Sequence, residues 1–294
     1  MLDFNQSKER GTLQAEQDKL KQELAFAQCG DKPWDWRLWE TGPGSINHCE
    51  DHGEFEQHSL IGKNFRGEEA LYHRSRCPDC IQDELANVEA KLHSLTVDHL
   101  VRNAGIARRF ESCEFENYQP VNPAAEKNLN ACKRYAATWN DRLKAGTGLV
   151  MCGSCGTGKN HLAVSMAKQI IREHLANVEI TDVMRITRAV KSTWRNNSDR
   201  TEESVLEHYA SLDLMIIDEV GVQFGSPAEM AILQEVINAR YESILPTILI
   251  SNLTFEQLQE NISERIVDRV TDGGRSRLAF NWESYRSRPA GEAV

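Results

Sequence analysis

The hydrophobic pattern of this chain changes near residue 104, and the two parts predict different structures. Before that point, apolar residues recur at helical spacing in two otherwise polar stretches, residues 7–28 and residues 81–103. The first stretch has near-heptad spacing at Leu13, Leu20, Leu24 and Ala27, and the second alternates spacings of four and three at Ile81, Leu85, Val88, Leu92 and Leu95. Such spacing places apolar side chains on one side of a helix as a narrow seam. The sequence therefore predicts two helices, separated by a break rich in Pro, Gly and Trp at residues 30–45.

From residue 148 onward, short apolar runs alternate with amphipathic stretches. The runs predict strands at 148–152, 177–181, 212–217 and 247–251, and the stretches predict helices at 159–174, 182–195, 201–210, 227–242 and 254–260. Strands that alternate with helices form a parallel sheet with helices on both faces. We therefore predict an α/β fold over residues 104–294, preceded by a small helical N-terminal domain over residues 1–103. Residues 104–122 are expected to form a hinge.

Charge and cysteine content narrow the function classes. The 294 residues carry a formal charge of −10, with 12 Lys and Arg against 19 Asp and Glu in residues 1–103, and 22 against 25 in residues 104–294. This acidity argues against a histone-like coat on nucleic acid, so any DNA contact must be local. Because the chain has no run of about 18 apolar residues and no apolar leader in residues 1–10, we expect a soluble, cytoplasmic protein without a membrane partner. In a reducing compartment, its eight cysteines are expected to be free thiols or metal ligands.

The loop between the first strand of the predicted sheet and the following helix has the sequence GSCGTGKN, residues 153–160. Its glycines allow the backbone to approach a phosphate, its amide groups converge on the anion, and the helix N-terminus adds positive potential. Lys159 is expected to reach the β- and γ-phosphates of ATP, and Asn160 stands where Ser or Thr usually offers a hydroxyl to Mg²⁺. The predicted nucleotide-binding residues are Gly153, Ser154, Cys155, Gly156, Thr157, Gly158, Lys159, Asn160 and His161.

Polar residues at the ends of two later strands complete the set of residues expected to hydrolyse ATP. Asp218 follows an apolar strand and is expected to hold Mg²⁺, while Glu219 orients and polarises the attacking water. The alternative is an acidic strand end that caps the next turn. Asn252 is expected to read the γ-phosphate or to position the water, or else to cap the helix that begins near Thr254.

Two pairs of metal-ligand residues lie in the N-terminal region, within residues 46–80. Cys49 and His52 are separated by two residues, as are Cys77 and Cys80, and 24 residues lie between the pairs. Two short chelating loops of this kind can close a tetrahedral Zn²⁺ site, and the metal would supply folding energy to a segment with little apolar material. Competing ligands are Cys29, His48, His58 and His73. Cys152 and Cys155 have the same spacing, but they flank the phosphate loop and are expected to be ordinary positions of that loop.

The motifs of this chain resemble those of the DnaC-type replicative helicase loaders, a branch of the AAA+ ATPases. The resemblance covers residues 104–288 and is carried by GSCGTGKNHLA, VEITDVMRITRAVKSTWRN, LDLMIIDEVGVQ, ERIVDR and FNWESYRSR. The last motif favours the loader branch over the related IstB-like transposition helpers. The added zinc module indicates a phage or prophage form of the loader.

The resemblance implies roles for individual residues and partners. It implies that Lys159 and Asn160 belong to the Walker A motif and Asp218 and Glu219 to Walker B; that Asn252 is sensor 1, Arg269 the arginine finger acting on a neighbouring subunit, and Arg286 the sensor 2 arginine. It also implies an open helical ring with ATP between subunits, which grips single-stranded DNA and holds a hexameric replicative helicase open. The N-terminal region is then the partner-binding arm, through either the seam at 81–95 or the helix at 7–28.

A basic stripe is the candidate DNA contact. Arg185, Arg188, Lys191 and Arg195 recur at spacings of three, three and four, as phosphate contacts along a pore require. The alternative is an amphipathic surface helix whose apolar face comprises Val183, Ile186, Val190 and Trp194. For Trp194 we favour packing over base stacking. The leading functional hypothesis is an ATP-dependent helicase loader, and the alternatives are a transposition helper ATPase and a non-hydrolysing zinc-finger adaptor.

Overall fold

The computed structural model describes residues 4–32, 39–194, 199–221, 227–271 and 276–285. The chain divides into two compact units, Met1–His99 and Leu100–Val294. No helix within the described ranges has an apolar stretch long enough to span a membrane.

The first unit combines two long helices with short antiparallel strands. The helices are α1 (Phe4–Cys29) and α2 (Pro78–Asn103), and the strands are β1 (Glu40–Thr41), β2 (Ser45–Cys49), β3 (Gly53–Gln57), β4 (Ser59–Lys63) and β5 (Glu69–Arg74). Strands β1, β4 and β5 form one sheet, and β2 pairs with β3 in a hairpin. The two helices were predicted from their apolar spacing. The strands were not, because they are short and carry few buried apolar residues.

The two predicted helical seams cover each other. Leu20 and Ala27 of α1 are buried in one cluster with Ile81 and Val88 of α2, flanked by partly buried Leu13, Leu24, Leu85 and Leu92. Gln17 donates a hydrogen bond to Glu89, and Arg76, just before α2, pairs with Glu23, so the helices run antiparallel. A partner that docks on either seam would therefore have to separate this pair.

The second unit is built on a five-stranded parallel sheet. Its strands are β6 (Leu149–Gly153), β7 (Val178–Asp182), β8 (Leu214–Asp218), β9 (Thr247–Ser251) and β10 (Arg277–Phe280), and its helices are α3 (Pro123–Ala137), α4 (Trp139–Ala145), α5 (Lys159–His174), α6 (Val183–Thr193), α7 (Glu202–Ser211), α8 (Pro227–Glu242), α9 (Phe255–Ile262) and α10 (Glu264–Thr271). The strand order is β10-β6-β9-β8-β7. This confirms the predicted α/β class, with β10 as an additional edge strand that pairs with β6 in parallel.

The core lies on both faces of this sheet. Residues Val150, Met215 and Leu249 of the strands pack in one cluster with apolar residues of helices α6 to α10. Helix α5 contacts β7 and β8, and α3 contacts α5 and β10. All residues of β6 and β9 are buried, which explains why these strands read as continuous apolar runs.

The segment expected to be a hinge, residues 104–122, is instead packed against α5. It contains two 3₁₀ turns, at Arg108–Phe110 and Phe115–Asn117. The ammonium of Lys168, on α5, is buried and donates to Glu114 at 2.8 Å, while Arg172 donates to both carboxylate oxygens of Glu114 at 2.7 and 2.8 Å. These ion pairs lower the pKa of Glu114 against the opposing effect of its partial burial. The hinge prediction is therefore wrong.

Candidate nucleotide and metal sites

The predicted phosphate loop lies at the carboxyl end of β6, where that strand leads into α5. Glycine is required at three of its positions, because Gly153 has a φ of 129°, Gly156 a φ of 74° and Gly158 a φ of 93°. A Cβ on Gly158 would lie 2.7 Å from the ring of Tyr118, and one on Gly156 would overlap the side chain of Ser284. The loop is therefore closely enclosed by other parts of the second unit.

Lys159 is buried at the start of α5. Its Nζ donates to the carbonyl oxygens of Gly153 at 2.8 Å and Ser154 at 2.7 Å. Burial lowers its pKa, since the charged ammonium loses hydration there. A cation held this way, against backbone carbonyls of the loop, is placed to exchange those contacts for phosphate oxygens.

Hydrogen bonds link three residues of the predicted hydrolytic site, Asn160, Asp218 and Glu219. Asn160 Nδ2 donates to Asp218 Oδ2 at 2.6 Å, and the backbone N–H of Glu219 donates to Asp218 Oδ1 at 2.8 Å. Glu219 has a φ of 57°, and its side chain is exposed at the end of β8. The Asn160 amide oxygen and the Asp218 carboxylate are hard oxygen donors on adjacent elements, and this donor set fits Mg²⁺.

A cavity of about 500 Å³ joins these groups. Its lining includes Lys159, Asn160, Asp218, Glu219 and Asn252, together with Cys155, Gly156, Thr157, Gly158 and His161. Gly153 and Ser154 do not line it, and the Ser154 N–H instead donates to the Phe280 carbonyl of β10 at 3.0 Å. Asn252 does not cap the next helix, because Thr254 is the N-cap residue of α9.

Several other residues that line the cavity were not predicted from the sequence. Arg109, Phe110, Asn117, Tyr118 and Gln119 come from the segment packed on α5, and Trp282 and Tyr285 from the region after β10. Tyr118 stacks edge-on against His161, with ring centroids 5.2 Å apart, and burial raises its pKa to about 12. Tyr285 donates from its hydroxyl to Gln119 at 3.1 Å and from its N–H to the Gly156 carbonyl at 2.9 Å. Trp282 and Tyr285 lie in the FNWESYRSR motif, in which only Arg286 was assigned to the site. No local pattern marks the residues of the segment packed on α5, because they meet the loop only through the tertiary fold.

Two predicted arginines are not part of this cavity. Arg269 lies on α10, where its guanidinium carbon is 5.3 Å from the centroid of the Tyr241 ring, and it does not line the cavity of its own chain. Arg286 lies outside the described residues.

Three residues of the basic stripe, Arg185, Arg188 and Lys191, lie on α6, and two of them form ion pairs. Arg185 Nε is 3.1 Å from Asp182, and Lys191 Nζ is 3.2 Å from Glu229. Arg188 is exposed, and Arg195 lies outside the described residues. Val183, Ile186 and Val190 form the buried face of the helix, as predicted.

The packing preference for Trp194 is wrong. Helix α6 ends at Thr193, and Trp194 remains 57% exposed, with its indole N–H donating to Glu202 at 2.8 Å. Its ring is thus held beside the stripe rather than in the core.

The four predicted zinc ligands meet in the first unit. The ligand atoms of Cys49, His52, Cys77 and Cys80 all lie within 4.8 Å of one another. Cys80 Sγ is 3.5 Å from Cys49 Sγ, and His52 Nδ1 is 3.3, 3.7 and 3.8 Å from the sulfur atoms of Cys80, Cys49 and Cys77. A tetrahedral zinc ion with its usual bond lengths requires separations of roughly 3.5–3.8 Å between ligand atoms, so the donor set and its spacing fit Zn²⁺.

The local fold explains this arrangement. The β2–β3 hairpin presents Cys49 and His52, and Cys77 and Cys80 lie at the N-terminus of α2. On its far side, His52 Nε2 is 3.3 Å from Asp83, a contact that fixes the ring with Nδ1 toward the thiols. The Asp51 N–H and the His52 ring lower the pKa of Cys49 to about 6, while the hydrogen bond with Cys49 raises that of Cys80 to about 12. Among the residues that the structure describes, none of the competing ligands joins this group.

Comparisons with known proteins agree with this architecture. Residues 81–293 match the family described as IstB-like ATP binding protein. The replicative helicase loader DnaC of Buchnera aphidicola subsp. Schizaphis graminum is 32% identical over 199 residues, 68% of this chain and 79% of that protein. The DnaC of Escherichia coli strain K12 is 31% identical over 207 residues, 70% of this chain and 82% of that protein.

A solved structure shares the fold. The crystal structure of the DnaC helicase loader superposes with a TM-score of 0.52 at 20% sequence identity, and the match covers 60% of this chain and 100% of that one. The family match spans more than half of the chain, and the DnaC proteins align with more than two thirds of it. The chain therefore belongs to the IstB/DnaC family of AAA+ ATP-binding proteins.

Proposed function

We propose that this chain is an ATP-dependent loader that places a hexameric replicative helicase on single-stranded DNA. The observation that carries the proposal is that relatives named as replicative helicase loaders align over about 80% of their own length, and the family match over residues 81–293 includes the strands and loops that form the cavity. The second support is the cavity itself, in which a buried lysine, a candidate magnesium site and an exposed glutamate face one space. Simple nucleotide storage would not need the glutamate.

Within this proposal, each residue of the cavity has a role. Lys159 binds the β- and γ-phosphates, with the P-loop amides of residues 155–160. Asn160 and Asp218 hold Mg²⁺, which neutralises charge on the phosphate oxygens when bound. Glu219 orients the attacking water, and Asn252 contacts the γ-phosphate or that water. Arg286 acts as sensor 2.

The active assembly is proposed to be an open helical ring with ATP between neighbouring subunits. Arg269 supports this arrangement, because it does not line the cavity of its own chain and would therefore act on a nucleotide held by a neighbouring copy. A guanidinium supplied in trans stabilises the charge of the transferred phosphoryl group.

The DNA contact is proposed to be the stripe of Arg185, Arg188, Lys191 and Arg195, with Trp194 as a stacking residue. The exposed indole ring supports this assignment, since base–aromatic stacking needs a free ring face. The ion pairs of Arg185 and Lys191 with carboxylates would be exchanged for phosphate on binding.

The first unit is proposed to be a zinc-stabilised arm for binding the helicase. Zn²⁺ would be held by Cys49, His52, Cys77 and Cys80, and would join the β2–β3 hairpin to the start of α2. Elemental analysis tests this directly. We expect about one equivalent of zinc in wild type; less than about half, with Cys77→Ser folding normally, would contradict the site.

Two measurements test the enzymatic and partner claims. ATP turnover should rise with single-stranded DNA and fall at least about a hundredfold in Glu219→Gln, with nucleotide affinity retained; equal turnover in both proteins would leave only a non-hydrolysing adaptor. Wild type should co-elute with a replicative hexameric helicase in ATP. Binding to a transposase but not to the helicase would instead favour a transposition helper, a function that the family description also accommodates.

A further inference from the structure

An exposed aromatic ring stands beside the proposed arginine finger. The guanidinium carbon of Arg269 lies 5.3 Å from the centroid of the Tyr241 ring, within the range of a cation–π contact. Tyr241 is in the last turn of α8, and α10, which carries Arg269, packs against α8. The contact therefore joins two neighbouring helices at the surface of the second unit.

Packing alone does not account for this tyrosine. Tyr241 is 55% exposed, and Ile244, three residues later, is 57% exposed. Residues Val236 and Ile237, on the same helix, supply the buried face of α8. Most of the Tyr241 ring thus contributes little to the core.

From this geometry, and on the basis of the proposed function, we infer that Tyr241 is a positioning residue for the finger. Its ring holds the Arg269 guanidinium in one region of the surface and directs it toward the nucleotide of the neighbouring copy. Tyr241 itself touches neither ATP nor the reacting atoms. Its effect on hydrolysis passes entirely through Arg269.

The physical reason is the freedom of an arginine side chain. An arginine that is only partly buried, as Arg269 is, samples several rotamers, and this freedom is lost when the guanidinium meets a phosphate. A ring that already restricts the side chain lowers that loss, as preorganisation does in general. Because exposed cation–π contacts are weak, we expect loss of the ring to lower kcat about two- to fivefold, and to leave the KM for ATP nearly unchanged.

The test uses mixed assemblies in which each subunit supplies one half of the site. Lys159→Ala lacks a nucleotide site but keeps its finger, and Arg269→Ala lacks the finger but keeps its site. Each is expected to be nearly inactive alone. Mixed one to one, about a quarter of the interfaces combine the two intact halves, so activity should return.

Tyr241→Ala is then added to one subunit or the other. On the Lys159→Ala subunit, which supplies the finger, it should lower the restored kcat about two- to fivefold, and Tyr241→Phe at the same place should restore it because the ring remains. On the Arg269→Ala subunit, which supplies no finger, the same substitution should have no effect. A merely structural role would reduce activity in both placements.

The outcomes separate the two levels of the proposal. If Lys159→Ala and Arg269→Ala fail to complement each other, the trans arrangement in the proposed function is wrong. If they complement but Tyr241→Ala acts equally in both placements, or in neither, the finger survives and the role of Tyr241 is refuted. Thermal unfolding of each variant ensures that only folded proteins are compared.

Discussion

Arg240 offers a demanding test of how the second unit is held together. Its side chain on α8 is completely buried, and its guanidinium donates four hydrogen bonds. The acceptors are the carbonyl oxygens of Tyr209, Leu212 and Pro246, at 2.7–2.8 Å, and the Thr247 hydroxyl at 2.9 Å. These groups lie at the end of α7 and the starts of β8 and β9. Arg240 thus ties together the two strands whose far ends carry Asp218 and Asn252.

We expect Arg240→Met to lower the free energy of unfolding by about 2–4 kcal/mol. Each buried acceptor that loses its donor costs about 1–3 kcal/mol. The Pro246 carbonyl keeps a weaker contact with the Met215 N–H at 3.5 Å, so Tyr209 and Leu212 account for most of the loss. An opposing gain comes from removing a buried charge, whose desolvation lowers the pKa of Arg240 to about 10.

Urea unfolding of the wild type, Arg240→Met and Arg240→Lys measures this loss. Lysine keeps the charge but has a single terminal nitrogen, which cannot reach all four acceptors of the guanidinium. The Arg240→Lys variant should therefore be destabilised as well. Arg188→Met, at an exposed position on α6, is the control and should change stability by less than about 0.5 kcal/mol. If Arg240→Met unfolds within about 1 kcal/mol of wild type, the guanidinium does not hold these strands.

Three further predictions concern other parts of the molecule. Removing zinc with a chelator should unfold the first unit at a lower temperature, as followed by circular dichroism, whereas a protein without the site would show no change. The Glu179 carboxylate, 2.7 Å from His208, raises the pKa of that histidine, so the pair stabilises the fold fully below about pH 6.5 and loses that stabilisation as the pH rises through the raised pKa. His208→Gln should therefore be destabilised by about 0.5 kcal/mol at pH 6 and by less at pH 8, and an equal loss at both pH values would exclude this ion pair. Arg188→Glu should weaken single-stranded DNA binding and reduce the dependence of the binding constant on salt concentration. An unchanged salt dependence would indicate that the stripe is an ordinary solvent-exposed helix surface.

The parts of the fold that were predictable are those in which one local signal dominates. Strands β6, β8 and β9 are buried on both faces, so they read as apolar runs bounded by loop residues. Helices α1 and α2 cover each other through narrow seams that the spacing of leucine and isoleucine reveals. The spacing of Cys and His also predicted the four zinc ligands that the fold brings together. That prediction was possible because the two residues between the members of each pair keep them close in space.

The parts that were missed depend on long-range contacts. Strand β10 has only four residues, and its first and third side chains are exposed, so it reads as a loop until β6 is beside it. The 104–122 segment was predicted to be a hinge because the sequence does not show that Glu114 pairs with Lys168 and Arg172, which approach it only in the folded chain. Arg240 resembles a surface arginine on an amphipathic helix. Trp194 was predicted to pack by extending the apolar face of α6 to a residue that lies just beyond its end, at Thr193.

A closed circle of single-stranded DNA tests the proposed loader function most directly, because that function requires the helicase ring to be opened. A circle of single-stranded DNA has no end, so a hexameric ring can enclose it only by opening. The measurement is displacement of an annealed oligonucleotide from such a circle by a replicative helicase at limiting concentration, with ATP, in the presence and absence of this protein. We predict that wild type stimulates displacement on the circle much more than on a linear strand with a free end, where threading is possible. Equal stimulation on both substrates, or none on the circle although the two proteins form a complex, would contradict the account.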